Sequence, residues 1–284
     1  MSGIYRTPDS ERLLVERYRA LLSRWPVPAD QETVSTSDGD TFVISSGPAE
    51  APPLVLLHGS SGNAGAWLEV AAEWSQHFRL HAIDIPGEPG LSNPNRMPLT
   101  SGGHVRWLTE VLGALGVRRA AFVASSLGGR IALDQAVHRP DQVERLALLS
   151  PSGIGRQTFG WLPKALWFGL QGEAGRRKLF RMIMGTTTLP AEVEEYLLFV
   201  NRNFRPRTDR ISVATDAELS GLDMPMLVGI GGRDVLLDSA QTRSRLAEFV
   251  PQAKVYLSPG TGHYVPMACL PVLEFLRTAP ASRT

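Results

Sequence analysis

The chain has 284 residues, 43% hydrophobic and 20% charged, with a formal net charge of +1. This supplies one large core in one domain or two, and the near-neutral balance offers no electrostatic footprint for nucleic acid or a strongly anionic partner. The single cysteine, Cys269, excludes an intramolecular disulfide framework and makes no metal site by itself; its expected place is that of a small buried hydrophobe.

The opening Met-Ser-Gly-Ile-Tyr-Arg soon reaches Asp9, Glu11 and Arg12 and lacks the basic start and apolar run of a secretory signal. No apolar run approaches transmembrane length, so the expected location is the cytoplasm. Residues 10–25 carry Leu14, Tyr18, Leu21, Leu22 and Trp25 at helical spacing behind Asp9-Ser10, a candidate cap. That stripe is expected to pack on its own domain. Glu32–Thr36 and Thr41–Ser45 flank the turn dipeptide Asp38-Gly39 and predict a hairpin.

After the proline-rich break at 51–53, short apolar runs alternate with longer amphipathic segments. The runs are Leu54–Leu57, Leu80–Ile85, Ala120–Ala124, Leu146–Leu149, Met226–Ile230 and Lys254–Leu257; helical patterns lie near 64–76, 101–115, 127–138, 240–250 and 266–277. Such alternation predicts an α/β fold, a mostly parallel sheet with helices on both faces. With the hairpin the sheet has eight strands. The rhythm breaks between Pro151 and about Leu222, where helices rich in Trp161, Trp167, Phe168, Phe180, Tyr196 and Phe199 read as an insertion after the sixth strand. The expected division is a core of 1–150 and 216–284 with a helical cap at 151–215.

The stretch Ala121–Arg130 sets Ser125 and Ser126 between an apolar run and a glycine pair. A serine held on a sharp strand-to-helix turn needs small residues two places before and two after it. Val123 and Leu127 flank Ser125 at those positions, whereas Ala124 and Gly128 flank Ser126. Ser126 is therefore the expected nucleophile, with Ala124 standing where the familiar pattern has glycine. Taken alone, such a serine is also compatible with a plain helix N-cap.

Other strand ends add to it. His58-Gly59-Ser60-Ser61-Gly62-Asn63 follows the first buried strand, where a backbone N–H can face a developing oxyanion. Leu127, next after Ser126, offers a second N–H, and Ser60 or its neighbour the first. Gly231-Gly232-Arg233-Asp234 and Gly260-Thr261-Gly262-His263 follow the last two strands. The order serine, aspartate, histidine is that of one known hydrolase topology and of neither chymotrypsin nor subtilisin. Asp238 rivals Asp234, but its place before Ser239 suits a helix cap. His58 reads as structural; His77, His81, His104 and His138 have no motif around them.

With "LLHGSSGN", "AIDIPGEPGLS", "ASSLGG", "GGRD" and "GTGH", the chain resembles the alpha/beta-hydrolase family from the hairpin to the last helix. "WPV", "SGPAEAPPLVLLHG" and "LLSPSG" are similar to bacterial carboxylesterases of the naproxen-esterase type. The turn Asp84–Ser92 is one residue longer than the family's usual Asp-x-x-Gly-x-Gly-x-Ser and is read as structural, without catalysis by Asp84.

The resemblance implies a serine hydrolase acting on small to medium apolar carboxylic esters, with Ser126, Asp234 and His263 as the triad and no cofactor or metal. A serine at the turn argues against dehalogenase or epoxide-hydrolase chemistry, which uses aspartate there. Ser61, Trp67, Trp161, Trp167, Phe168 and Met184 are candidates to line the substrate pocket. Segment 151–215 holds ten Lys or Arg against five acids, a local +5 against −4 elsewhere; a solvated face or attraction of an anionic substrate would each account for it. The expected partner is a small-molecule ester, with no nucleic acid or membrane span, for a monomer or homodimer. Two other functions stay open: carbon–carbon bond hydrolysis of ring-cleavage products, and ligand sensing by a protein that retains a triad.

Overall fold

The structure, a computed structural model, describes residues 3–99, 102–185 and 189–278. Strands β1 (Ala29–Thr36), β2 (Gly39–Ser46), β3 (Pro53–Leu57), β4 (Arg79–Ile83), β5 (Ala120–Ser125), β6 (Val143–Leu149), β7 (Met226–Gly231) and β8 (Lys254–Ser258) form one sheet. Their order is β1-β2-β4-β3-β5-β6-β7-β8. The β1–β2 and β2–β4 pairs are antiparallel and the others parallel. This is the mostly parallel, eight-stranded sheet anticipated from the strand count and rhythm, and the alpha/beta-hydrolase fold that the motif resemblance implies.

Helices α1 (Pro8–Leu22), α2 (Leu68–Trp74), α3 (Gly103–Ala114), α4 (Ser126–His138), α5 (Leu162–Gly169), α6 (Gly172–Met184), α7 (Ala191–Asn203), α8 (Asp216–Ser220), α9 (Ser239–Phe249) and α10 (Val272–Arg277) complete the chain. The helix anticipated near 101–115 begins at Gly103, and residue 101 lies outside the described residues. Leu54–Leu57 are fully buried because both faces of the sheet are covered, so the central strand reads as an unbroken apolar run. Its side chains still alternate. Val55 and Leu57 join the core beneath α3, α4, α8 and α9, whereas Leu54 and Leu56 join the one beneath α1, α2 and α10.

Three local expectations change. Thr7 caps α1, its Oγ1 accepting from the Ser10 N–H at 3.0 Å, because Pro8 opens the helix before Asp9-Ser10. Cys269 is exposed on a short 3₁₀ turn. Trp67 is 1% exposed in the core with Tyr18 and Leu56, so it lines no substrate pocket; the 3₁₀ turn Ala64–Trp67 rotates it inward onto the sheet. The α1 stripe divides: Tyr18 and Leu22 pack on the sheet, and Leu14 packs with Val200 and Phe204 at the end of α7.

Between β6 and β7 the chain forms α5 to α7 before α8 returns it to the sheet. No residue of α5 is buried, and Leu166, Trp167 and Leu170 are exposed. The local positive excess is drawn partly into ion pairs with the rest of the chain. Arg156 pairs with Asp238 at 3.0 Å and Arg207 with Glu88 at 3.1 Å, while Glu173 within the segment receives Arg176 and Arg177.

Burial pushes the imidazoles of His58, His81 and His104 from 6.5 down to about 4. Between pH 4 and 6.5 the unfolded chain binds protons that the folded one refuses, so each histidine makes stability rise with pH, by on the order of 3 kcal/mol. Burial pushes the carboxyl of Asp84 from 3.8 up to about 6 and raises that of Glu88. Those two groups act in the opposite sense, Asp84 by a similar amount, because the folded state holds their protons longer. The histidines outweigh them. Urea unfolding is expected to give a higher stability at pH 6.5 than at pH 4.5, and a flat or falling profile would contradict their burial as neutral rings.

Candidate active site

Ser126 stands where β5 ends and α4 begins, with φ of +48°, a left-handed conformation that costs a non-glycine residue on the order of 1–3 kcal/mol. Two close approaches hold it there. A Cβ on Gly128 would lie 2.4 Å from the Leu57 carbonyl oxygen, so only glycine lets α4 approach the end of β3; the Gly128 N–H donates to His58 O at 3.1 Å. Ala124, by contrast, is fully buried within the β5 core, so its methyl is accommodated where the familiar motif has glycine.

The three candidate residues converge. His263 Nε2 is 2.9 Å from Ser126 Oγ and His263 Nδ1 is 2.8 Å from Asp234 Oδ2. The Asp234 side chain is 1% exposed, and its other oxygen accepts from the Leu236 and Leu237 N–H groups at 2.8 and 3.1 Å. The carboxylate therefore faces the ring with one oxygen, which assigns the proton to Nδ1 and leaves Nε2 to accept from the serine. Asp238 is elsewhere employed: its Oδ1 caps α9 by accepting from Gln241 N at 2.9 Å, the role its sequence position anticipated.

Leu127 lies in the first turn of α4 and Ser60 in the loop after β3. Among the described residues neither N–H has a protein acceptor. Gly59 brings that loop against the serine, since a Cβ there would sit 3.3 Å from Ser126 Cβ. The neighbouring Ser61, at φ of +63°, gives its N–H to Glu88 Oε2 at 2.7 Å and is committed to holding the loop.

His58 is structural. Its Nδ1 donates to Gly59 O at 2.8 Å and its Nε2 accepts from Ile85 N at 2.9 Å, which fixes one neutral tautomer. Asp84 is structural as well: its Oδ1 receives Tyr18 OH at 2.8 Å and Ala64 N at 2.7 Å, and its Oδ2 receives Leu91 N at 2.7 Å. No group of three His, Cys, Asp or Glu able to hold a metal ion occurs among the described residues.

The helical segment between β6 and β7 touches the loops of both Asp234 and His263 through its main chain. Thr158 N donates to Leu236 O at 2.8 Å, beside Asp234. At the end of α6, Ile183 O accepts from His263 N at 2.8 Å and Met184 O accepts from Gly262 N at 3.1 Å. Met184 thus reaches the site by its carbonyl, a contact no residue-type pattern announces. Trp161 lines a cavity of ≈290 Å³ with Thr158, Lys164, Met182 and Val235, next to Asp234. Phe168 is half-buried; Trp167 is 65% exposed at the outer surface and does not join that lining. A cavity of ≈480 Å³ between α9 and β8 has no member of the triad among its lining residues.

A sequence profile of the alpha/beta hydrolase family matches residues 54–270, most of the chain and all of this geometry. The chain belongs to the alpha/beta hydrolase family. Among relatives of this hydrolase, an uncharacterized carboxylesterase, nap, of Bacillus subtilis (strain 168) is 31% identical over 94% of this chain and 91% of its own length. Carboxylesterase YbfK of the same organism is 28% identical over 87% and 86%. The crystal structure of naproxen esterase from Bacillus subtilis superposes with a TM-score of 0.78 at 30% identity, covering 96% of this chain and 95% of that one. No described helix of the hydrolase is long and apolar enough to cross a membrane.

Proposed function

We propose that the protein is a serine carboxylesterase that cleaves small to medium apolar carboxylic esters through an acyl-enzyme on Ser126. The observation that carries this reading is the continuous relay from Ser126 Oγ to His263 at 2.9 Å and on to Asp234 at 2.8 Å, set beside two unoccupied backbone donors. Relatives of similar length named carboxylesterases support it.

Ser126 Oγ attacks the ester carbonyl carbon while His263 Nε2 takes its proton. Asp234 keeps the ring in the correct tautomer and stabilises the imidazolium, without itself being protonated. The tetrahedral oxyanion is received by the Leu127 and Ser60 N–H groups, at the N-terminus of α4 and in the β3 loop. His263 then protonates the leaving alcohol. Water, deprotonated by the same histidine, attacks the acyl carbon and releases the acid and Ser126.

Residues 151–215 act in this reading as a cap over the site, with Trp161, Phe168 and Met184 towards the acyl or alcohol group and Ser61 at the loop edge. Steady-state hydrolysis of a p-nitrophenyl ester series from acetate to dodecanoate tests the function. Turnover peaking at short to medium chains is the expected result. Absence of turnover throughout, with cleavage of a vinylogous diketone instead, would replace the ester assignment by carbon–carbon hydrolysis.

A further inference from the structure

Glu88 lies in the Pro86–Gly90 turn after β4, in the stretch that is one residue longer than the usual motif, and its side chain is 1% exposed. The described contacts of its carboxylate are donors from two places. Oε2 receives the Ser61 N–H at 2.7 Å and the Ser60 hydroxyl at 3.2 Å; Oε1 receives Arg207 Nε at 3.1 Å. Arg207, 5% exposed, is itself fixed by Met97 O and Asp209 at 3.1 Å each through Nη1.

These contacts bear on one donor of the proposed oxyanion hole. Ser61 is in the left-handed region, and a charge-assisted bond to its N–H is what opposes relaxation of that residue. With the Ser61 N–H turned towards Glu88, the preceding N–H, that of Ser60, is the one left without an acceptor. The other end of the loop is anchored at Ala64 N by Asp84, from the same turn. We propose that Glu88 is a positioning residue for the oxyanion hole, pinning the Ser60–Ser61 turn so that the Ser60 N–H is aimed, with Arg207 as the cation that keeps it charged and in place.

The role of Arg207 follows from burial. A carboxylate removed from water tends to take up a proton, and burial does raise Glu88; the guanidinium opposes that. A protonated Glu88 would have to spend one oxygen as a donor among three donors. Arg207 belongs to the segment following α7, so the proposed cap also holds the oxyanion loop.

The inference rests on the esterase reading, and the test separates the two. Glu88→Gln, Glu88→Ala and Arg207→Lys are compared with wild type for kcat and KM on p-nitrophenyl butyrate and for affinity towards a trifluoromethyl ketone. The ketone's hemiketal oxyanion requires Ser126 and the donors but no turnover. Glu88→Gln is nearly isosteric yet removes the charge and sets an amide N–H₂ against either Arg207 Nε or the paired Ser60 and Ser61 donors. It is expected to fold, to lose roughly 10- to 100-fold in kcat with KM changed less than about threefold, and to weaken ketone binding by the same factor as kcat/KM. Arg207→Lys, which preserves a cation, is expected to keep activity within about tenfold.

A folded Glu88→Gln with kcat and ketone affinity within twofold of wild type would overturn the proposal. So would a rise in KM alone, or a loss of stability with unchanged kinetics at saturation. Should Glu88→Ala not fold, Glu88→Gln and Arg207→Lys decide. Wild type inert towards every ester would overturn the esterase reading by itself, and the ketone affinities would still decide the role of Glu88.

Discussion

Ser126→Ala is expected to lower kcat on p-nitrophenyl esters by roughly 10⁴- to 10⁶-fold, because the proposed triad would act as a unit and loss of its nucleophile would forfeit the covalent route. The size of the loss has a structural reason. The left-handed serine, the glycine contact of Gly128 with Leu57 O, and the His263 ring at 2.9 Å all prepare one oxygen atom. Alanine relieves none of the backbone strain and removes only the nucleophilic oxygen, so the fold is expected to persist at wild-type stability within about 1 kcal/mol. A fluorophosphonate that adds its mass to wild type and not to Ser126→Ala would identify the oxygen directly. Residual turnover within tenfold of wild type would move the nucleophile elsewhere and leave Ser126 as a helix cap.

Asp234→Asn carries the second largest effect, roughly 10³- to 10⁴-fold in kcat with little change in KM. The wild-type carboxylate accepts two main-chain N–H groups on one oxygen and faces His263 with the other. Asparagine keeps its carbonyl where the Leu236 and Leu237 donors demand an acceptor, which turns its N–H₂ towards the ring. The histidine must then carry its proton on Nε2, the wrong side for receiving one from Ser126. Asp238→Asn provides the contrast: asparagine is as good an N-cap, so kcat is expected to stay within about threefold and stability within about 1 kcal/mol. Steady-state kinetics of the two variants side by side check both; equal losses would sink the assignment of Asp234.

Much of this site was legible because chemistry on a parallel sheet gathers at strand ends, and strand ends are visible as apolar runs that stop. Ser126, Asp234 and His263 each follow such a run, and their chain order narrows the topology further. The pockets were harder. Trp67 was a candidate to line the pocket, yet a 3₁₀ turn buries it beneath the sheet. Trp167 and Leu166 carry an apolar signal that burial does not redeem. Glu88 and Arg207 stand 119 residues apart, and nothing in an acid between glycines and prolines, or in Arg-Pro-Arg, announces their partnership. The carbonyls of Ile183 and Met184 are still less visible, since every residue has one. The positive excess of 151–215 was visible as a number, but its pairing with Asp238 and Glu88 exists only in three dimensions.

The meeting of Gly185 with Gly262 sets a rule for recombining this enzyme with its relatives. A Cβ on Gly185 would lie 2.3 Å from Gly262 N, and one on Gly262 would lie 2.2 Å from Ile183 O, so the two backbones touch without intervening side chains. Leu162–Gly169 has no buried residue, so its exchange removes no side chain from the core. A crossover placed at the end of Gly172–Met184 must carry both glycines together, or the graft will displace the loop that holds His263.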